Sequence, residues 1–429
     1  MKGCVIIHML HTKNEIKQIK IYEKKYIRLL FGLCWMVYCT SYLGRLNYSS
    51  AMMLMINDNI LTASQAGFIS MIYFFAYGTG QLVNGILGDR INPKWMIFTG
   101  LAGSGIANII MGICPYFYGM AVIWGINGYF QAMIWAPIIR IFADMLDEKN
   151  KVNCCVNIVT SQLIGTLLSY ILSAAVLTVF PWQGVFGAAA LMLFLAAFIW
   201  NGGFSNVCRH GEKNFEDINS KVKPDTNTTE YTASLTGKNS LIFSSTIPVI
   251  LIPVIIHGML KDGVTTWVPT YINTSFEVSA SFSILLTTLL PIINLSGAYI
   301  ARYIYRKTNE RIILSIGLFF LTATAALVFL YIGSTWHPLL SVLLLSVITA
   351  SMMAINTLAV NIYPLRFQKY GRVSSISGFL NAMAYLGTAV STYTIGLLVQ
   401  KYDWHITILT WLAATILAAV ICLTASKAE

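Results

Sequence analysis

Two basic side chains stand where the chain is otherwise almost free of charge. Arg45 lies within the apolar run 26–56, Lys261 lies within the run 241–272, and Asp262 follows Lys261 directly. At 1.5 Å of helix rise per residue, Arg45 is about 30 Å from Lys25 and about 20 Å from Asp58, too deep for its side chain to reach either end. A cation at that depth costs about 2.5–3.5 kcal/mol on insertion scales, so it faces a cavity or a partner rather than lipid. The chemistry available to two such cations is electrostatic: together they can hold an anion. The alternative is an interhelical ion pair, but the apolar runs between 64 and 203 offer Arg45 no carboxylate.

Asp262 admits several roles. Neighbouring helical positions point about 100° apart, so it need not neutralise Lys261. It can instead pair with Arg45 across a cavity, which would make both cations structural, or titrate as a proton carrier. His257 lies one turn before Lys261, where it either hydrogen-bonds a substrate or relays a proton, or is a packed, satisfied side chain. Tyr38, Tyr42, Asn47 and Tyr48 flank Arg45. Aromatic and amide groups suit a sugar or glycerol moiety, although some of these four must pack against neighbouring helices.

The elements that carry these residues follow from composition. Of 429 residues, 56% are hydrophobic and only 10% charged, with a net charge of +11 and a mean hydropathy of +0.68. A soluble domain carries about 25% charged residues, disorder needs low hydrophobicity, and a nucleic-acid binder needs a polar basic surface. What remains is an all-α polytopic membrane protein. A window of about 19 residues finds apolar segments near 26–56, 64–87, 95–113, 116–143, 152–178 and 182–203, and then near 241–272, 280–303, 311–333, 337–361, 370–398 and 404–425. The expected organisation is a tail (1–25), a six-helix half (26–203), a polar linker (204–240), a second six-helix half (241–425) and a short tail (426–429).

All but three of the 28 lysines and arginines fall on one side of this map. By the positive-inside rule that side is cytosolic, which places both termini and the linker in the cytosol of a multi-pass cell-membrane protein. The exceptions are Lys401 in an outer loop and the two buried cations. The eight cysteines show no paired spacing, so they read as packing residues without a metal site. No phosphate loop, metal-ligand cluster or nucleophile elbow is present, so no cofactor and no enzyme activity are expected.

A repeat is visible. Gly85-Ile86-Leu87-Gly88-Asp89-Arg90 after the second segment is echoed by Gly297-Ala298-Tyr299-Ile300-Ala301-Arg302 after the eighth, at nearly the offset that separates Lys261 from Arg45. Gly85 and Gly88 allow close helix approach, Asn92 tolerates a left-handed turn, and Pro93 starts the next helix. The stretch resembles the signature after helix 2 in the major facilitator superfamily, whose transporters rock two pseudo-symmetric six-helix halves. That resemblance implies a gating role for Gly85, Asp89 and Arg90. Ala301 replaces the acid in the second copy.

A finer resemblance rests on five stretches: Tyr42-Leu43-Gly44-Arg45-Leu46-Asn47, the Asp89 to Lys94 ending, Gly128 to Pro137, Lys261-Asp262-Gly263 through Tyr271, and Gly378 to Gly387 with Asn381 and Tyr385. Together they resemble the organophosphate:phosphate antiporter family, which includes bacterial glycerol-3-phosphate and hexose-phosphate transporters. The resemblance implies that Arg45 and Lys261 bind a shared phosphate group and that Gln162 occupies a phosphate-interacting position; Tyr42, Asn47, His257 and Tyr385 are further candidate substrate contacts, with Asp262 in coupling or charge balance. Lys261 stands where glycerol-3-phosphate carriers have arginine, which gives up a planar fork for a point charge. Gln162 stands where the family has a histidine. The expected protein is a monomeric secondary transporter that exchanges a phosphate ester for inorganic phosphate. The alternatives are a proton-coupled carrier of an organic anion such as a carboxylate, and a transporter-like receptor for a phosphate ester.

Overall fold

The computed structural model describes residues 21–88, 91–219, 247–333, 337–364, 366 and 373–428. Among them there is no strand, and twelve helices are long and apolar enough to cross a bilayer. They are α1 (Lys24–Asn57), α2 (Ala63–Gly85), α3 (Pro93–Ile113), α4 (Phe117–Phe142), α5 (Asn153–Val176) and α6 (Trp182–His210) in the first half. In the second half they are α7 (Ile247–Phe276), α8 (Ala280–Lys307), α9 (Ile312–Ile332), α10 (Pro338–Ile362), α11 (Ile376–Lys401) and α12 (Trp404–Ala425). Each is at least 21 residues long, about the length that spans a hydrocarbon core of roughly 30 Å. Apolar side chains such as Leu191, Phe198, Phe329 and Val420 are exposed on the outside of the bundle, where lipid replaces water.

The halves repeat each other in packing. In the first, α1 packs on α5 and α6, α2 on α4, and α3 on α4 and α6; in the second, α7 packs on α11 and α12, α8 on α10, and α9 on α10 and α12. The halves meet along α2–α11, α5–α8 and α1–α7. Prolines set the local breaks. Pro137 cannot donate to Met133 and α4 is interrupted over 132–134, and Pro291 cannot donate to Thr287 and α8 is interrupted at Thr288.

Three observations modify the sequence expectations. Asn92 is not left-handed: it is extended (φ −62°, ψ 120°) and caps α3, its side chain accepting the Lys94 N–H at 2.9 Å with Pro93 next in line. The helix of α6 does not stop at residue 203 but continues to Asn219. Phe204 and Val207, one turn apart, are buried against α1, and His210 stacks on Tyr26 at 4.5 Å, so apolar burial carries the helix into the stretch assigned to the linker. Asp89, Arg90 and residues 220–240 lie outside the described residues. Gly85 is exposed, and a side chain there would meet open space.

The face opposite the termini is closed. Ser49 donates to Thr266 O at 2.6 Å, Asn57 to Asn273 at 2.9 Å, and the Ser64 N–H to Gln400 at 3.0 Å. Gly67 and Gly396 bring α2 and α11 together there, because a Cβ on either would strike the other helix's backbone at Thr392 or Ala63.

Candidate substrate-binding site

The backbone of α7 is set by its interruptions. Pro253 and Pro269 each remove a ladder hydrogen bond, and between them Met259–Gly263 forms a π-helical turn. A π-turn widens the helix and loosens its carbonyls. Hydroxyls of α11 collect two of them: Thr388 donates to Gly258 O at 2.9 Å and Ser391 to Met259 O at 3.0 Å. α11 can approach because Gly258 and Gly387 lie against opposing backbone, where any Cβ would collide with Ala384 or Ile255. The wide turn presents both Lys261 and Asp262 to one cavity.

α1 carries Arg45 on a regular helix held by amides. Asn127 of α4 and Asn108 of α3 donate to Gly44 O at 3.0 and 3.3 Å. Ser104 donates to Asn127 at 2.6 Å, and Gln131 donates to Ser104 at 2.8 Å. Four rings enclose the guanidinium: Tyr77 at 4.7 Å, Phe74 at 5.4 Å, and Tyr42 and Tyr385 at 5.6 Å each. These are cation–π distances, and desolvated contacts of this kind contribute about 0.5–2 kcal/mol apiece.

The two helices meet at Asp262, whose Oδ2 is 3.4 Å from Lys261 Nζ and 3.9 Å from Arg45 Nη2. The Arg45 side chain is 6% exposed, against 17% for Lys261 and 23% for Asp262. The arginine is therefore the sealed cation and the lysine the accessible one. A cavity of about 110 Å³ opens beside them, lined by α1, α5, α7, α8 and α10. Its polar walls are Tyr42, Gln162, Thr166, Thr265 and Asn294, and the remainder is apolar, including Leu163, Leu290 and Pro291. Its lining extends to both sides of the ion triad, from Val159 near the start of α5 and Ala298 in the later part of α8 to Thr265 of α7 and Leu290 of α8. Charged groups at one end and amides and hydroxyls along an apolar wall suit a small anion with a polar body.

Residues 34–380 match the family described as the Major Facilitator Superfamily. The chain belongs to this superfamily. It is a membrane transporter, not an enzyme, with twelve helices of spanning length among the described residues. A "probable hexose phosphate transport protein" of Chlamydia pneumoniae is 29% identical over 41% of this chain and 39% of its own length. Its counterpart in Chlamydia trachomatis serovar D is 22% identical over 96% of this chain and 94% of its own. Among solved structures, a bacterial homolog of the human lysosomal transporter Spinster, in an inward-facing and occupied conformation, superposes with a TM-score of 0.73 at 12% identity, covering 95% of this chain and 98% of that one.

In this facilitator fold Arg45, Lys261, Asp262, Tyr42 and Gln162 line a single cavity. Tyr385 is outside its lining and acts on Arg45 through its ring. Asn47 points elsewhere: it donates to Asn108 at 2.7 Å inside the first half, because the far side of α1 faces α3. His257 is also outside the lining, buried to 1% exposure with Nδ1 3.3 Å from Val254 O. Its burial follows from depth along α7 and not from the spacing: Gly258, next to His257, is pressed against the Ala384 backbone of α11. Sequence reasoning passed over Asn294, Phe74 and Tyr77. Asn294 is the sole amide in the run 280–303 and its carbonyl oxygen accepts from Thr349 at 2.8 Å, a signal that was present. Phe74 and Tyr77 carried none, since aromatic residues one turn apart are ordinary core.

Proposed function

We propose that this transporter moves a small organic anion by alternating access, and that its cargo is a phosphate ester exchanged for inorganic phosphate. The observation that carries the reading is the meeting of one cation from each half, Arg45 and Lys261, at a cavity near the middle of the bundle. An anion held between them ties the halves together, and its arrival or departure changes which contacts between halves are favoured. The names of the two chlamydial relatives support a sugar phosphate as the ester. The one-sided distribution of basic residues supports cytosolic termini. With that orientation the closed face is the outer one.

The test is counterflow. Proteoliposomes loaded with labelled phosphate should release it when a hexose 6-phosphate is added outside, and Arg45→Ala should abolish that release while the purified variant still melts cooperatively. Unchanged release in the variant would remove Arg45 from the site, and no release from wild type with any ester would overturn the cargo. Asp262 favours a second reading, proton-coupled uptake of an organic anion, because a carboxylate lies in the cavity itself. That reading requires uptake to collapse with a protonophore and to respond to Asp262→Asn.

A further inference from the structure

The cavity contains its own anion. Asp262 Oδ2 lies within 4 Å of both cations that the cargo would use, at 3.4 Å from Lys261 Nζ and 3.9 Å from Arg45 Nη2. With the three groups ionised, the site holds one uncompensated positive charge instead of two. At an effective dielectric constant of about 20, a unit charge 4 Å away is worth about 4 kcal/mol, and a buried site that ends up with uncompensated charge is penalised. A singly charged ligand brings this triad to neutrality. A doubly charged one leaves it net negative, with Asp262 among the groups that face it.

The surroundings do not supply the missing charge. The other titratable groups near the triad are His257 on α7, Tyr170 on α5, and Tyr42 of α1, Tyr73 and Tyr77 of α2 and Tyr385 of α11 around Arg45. The cavity linings contributed by α8 and α10 contain no ionisable side chain. We infer that Asp262 sets the charge of the cargo, so that the site accepts a monoanion and discriminates against the dianion of the same molecule. This rests on the proposed role of Arg45 and Lys261 as the substrate site, and it narrows the substrate class: a phosphate ester would bind in its singly protonated form, and a sulfate ester or a monocarboxylate carries the right charge without protonation.

Binding of glucose 6-phosphate and glucose 6-sulfate to the purified full-length chain tests this, measured by isothermal titration at about pH 5 and about pH 8. The second ionisation of a phosphate monoester lies near pH 6, whereas the sulfate ester is singly charged throughout and reports any titration of the protein itself. The expected result is that phosphate-ester affinity weakens by roughly tenfold or more between the lower and the higher pH, with the sulfate ester unchanged. In Asp262→Asn the phosphate ester should bind better at the higher pH than at the lower. Wild type that binds the ester equally well or better as the dianion overturns the inference, whatever the variant does, and leaves the phosphate-ester reading standing. If neither sugar ester binds but lactate does, and Asp262→Asn shifts preference toward malonate, the charge assignment holds and the phosphate-ester reading falls. If none of these anions binds the folded protein, both fall.

Discussion

The two helices that bring cations to the cavity occupy matching places in the repeat and solve the same problem in opposite ways. α1 is continuous from Lys24 to Asn57, its backbone at Gly44 is held by two asparagines, and its arginine is boxed by four rings. α7 contains two prolines and a π-turn, and its lysine stands more exposed with a carboxylate as neighbour. A planar guanidinium packed among rings has few alternatives, whereas an ammonium on a long stem can swing. The first half thus supplies a fixed charge and the second an adjustable one. Under the proposed function, the contact that a ligand rearranges is Lys261–Asp262.

The most severe break in this comparison is Arg45→Ala, which is expected to lower exchange in proteoliposomes by more than about 100-fold. Loss of less than about threefold would show that α1 does not hold the anion. Exchanging the two cation types sharpens the contrast. Arg45→Lys should cost more than about tenfold because an ammonium cannot fill the flat slot between the rings, while Lys261→Arg should stay within about fivefold of wild type. Equal losses in parallel flux assays would erase the asymmetry.

Packing variants probe how each helix is held. Gly258→Leu forces a side chain into the Ala384 backbone, and about 1–3 kcal/mol of destabilisation is expected, seen as a lower melting temperature. An unchanged melt would mean that α11 does not brace the π-turn. Asn47→Ala should cost about 1 kcal/mol through its lost bond to Asn108 while leaving KM for the anion unaltered; a raised KM would return Asn47 to the site. The smallest effect belongs to Ser49→Ala, which removes one bond between α1 and α7 on the closed face. About 0.6 kcal/mol toward opening is expected, measurable, with the native cysteines replaced, as faster thiol labelling of a cysteine introduced as Thr270→Cys, a position 2% exposed in the closed state.

Much of the fold was legible because a bilayer imposes one period and one length. Apolar runs of the spanning length marked all twelve helices, and the echo of Gly85 to Arg90 at Gly297 to Arg302 marked the repeat that the packing of α1–α6 and α7–α12 reproduces. Arg45, Lys261 and Asp262 stood out because ionised groups are rare at such depth. His257 and Asn47 illustrate what could not be read. One-turn spacing sets His257 beside Lys261, yet it is buried outside the cavity lining, where α11 packs on the adjacent Gly258. Asn47 is polar enough for a cavity, yet it is consumed by Asn108, which is distant in sequence.

By itself the sequence determined the membrane-spanning architecture, the division into two halves and the identity of the charged groups buried within them. Those depend on local composition, and lipid tolerates few alternatives to an apolar helix. Only the tertiary structure decided that Asp262 reaches both cations, that aromatic rings of α2 and α11 enclose Arg45, and that walls from α1, α5, α7, α8 and α10 meet around one cavity beside the triad. These are facts about where helices far apart in the chain come to rest. Their physical origin is the close approach that glycine permits and the single widened turn of α7.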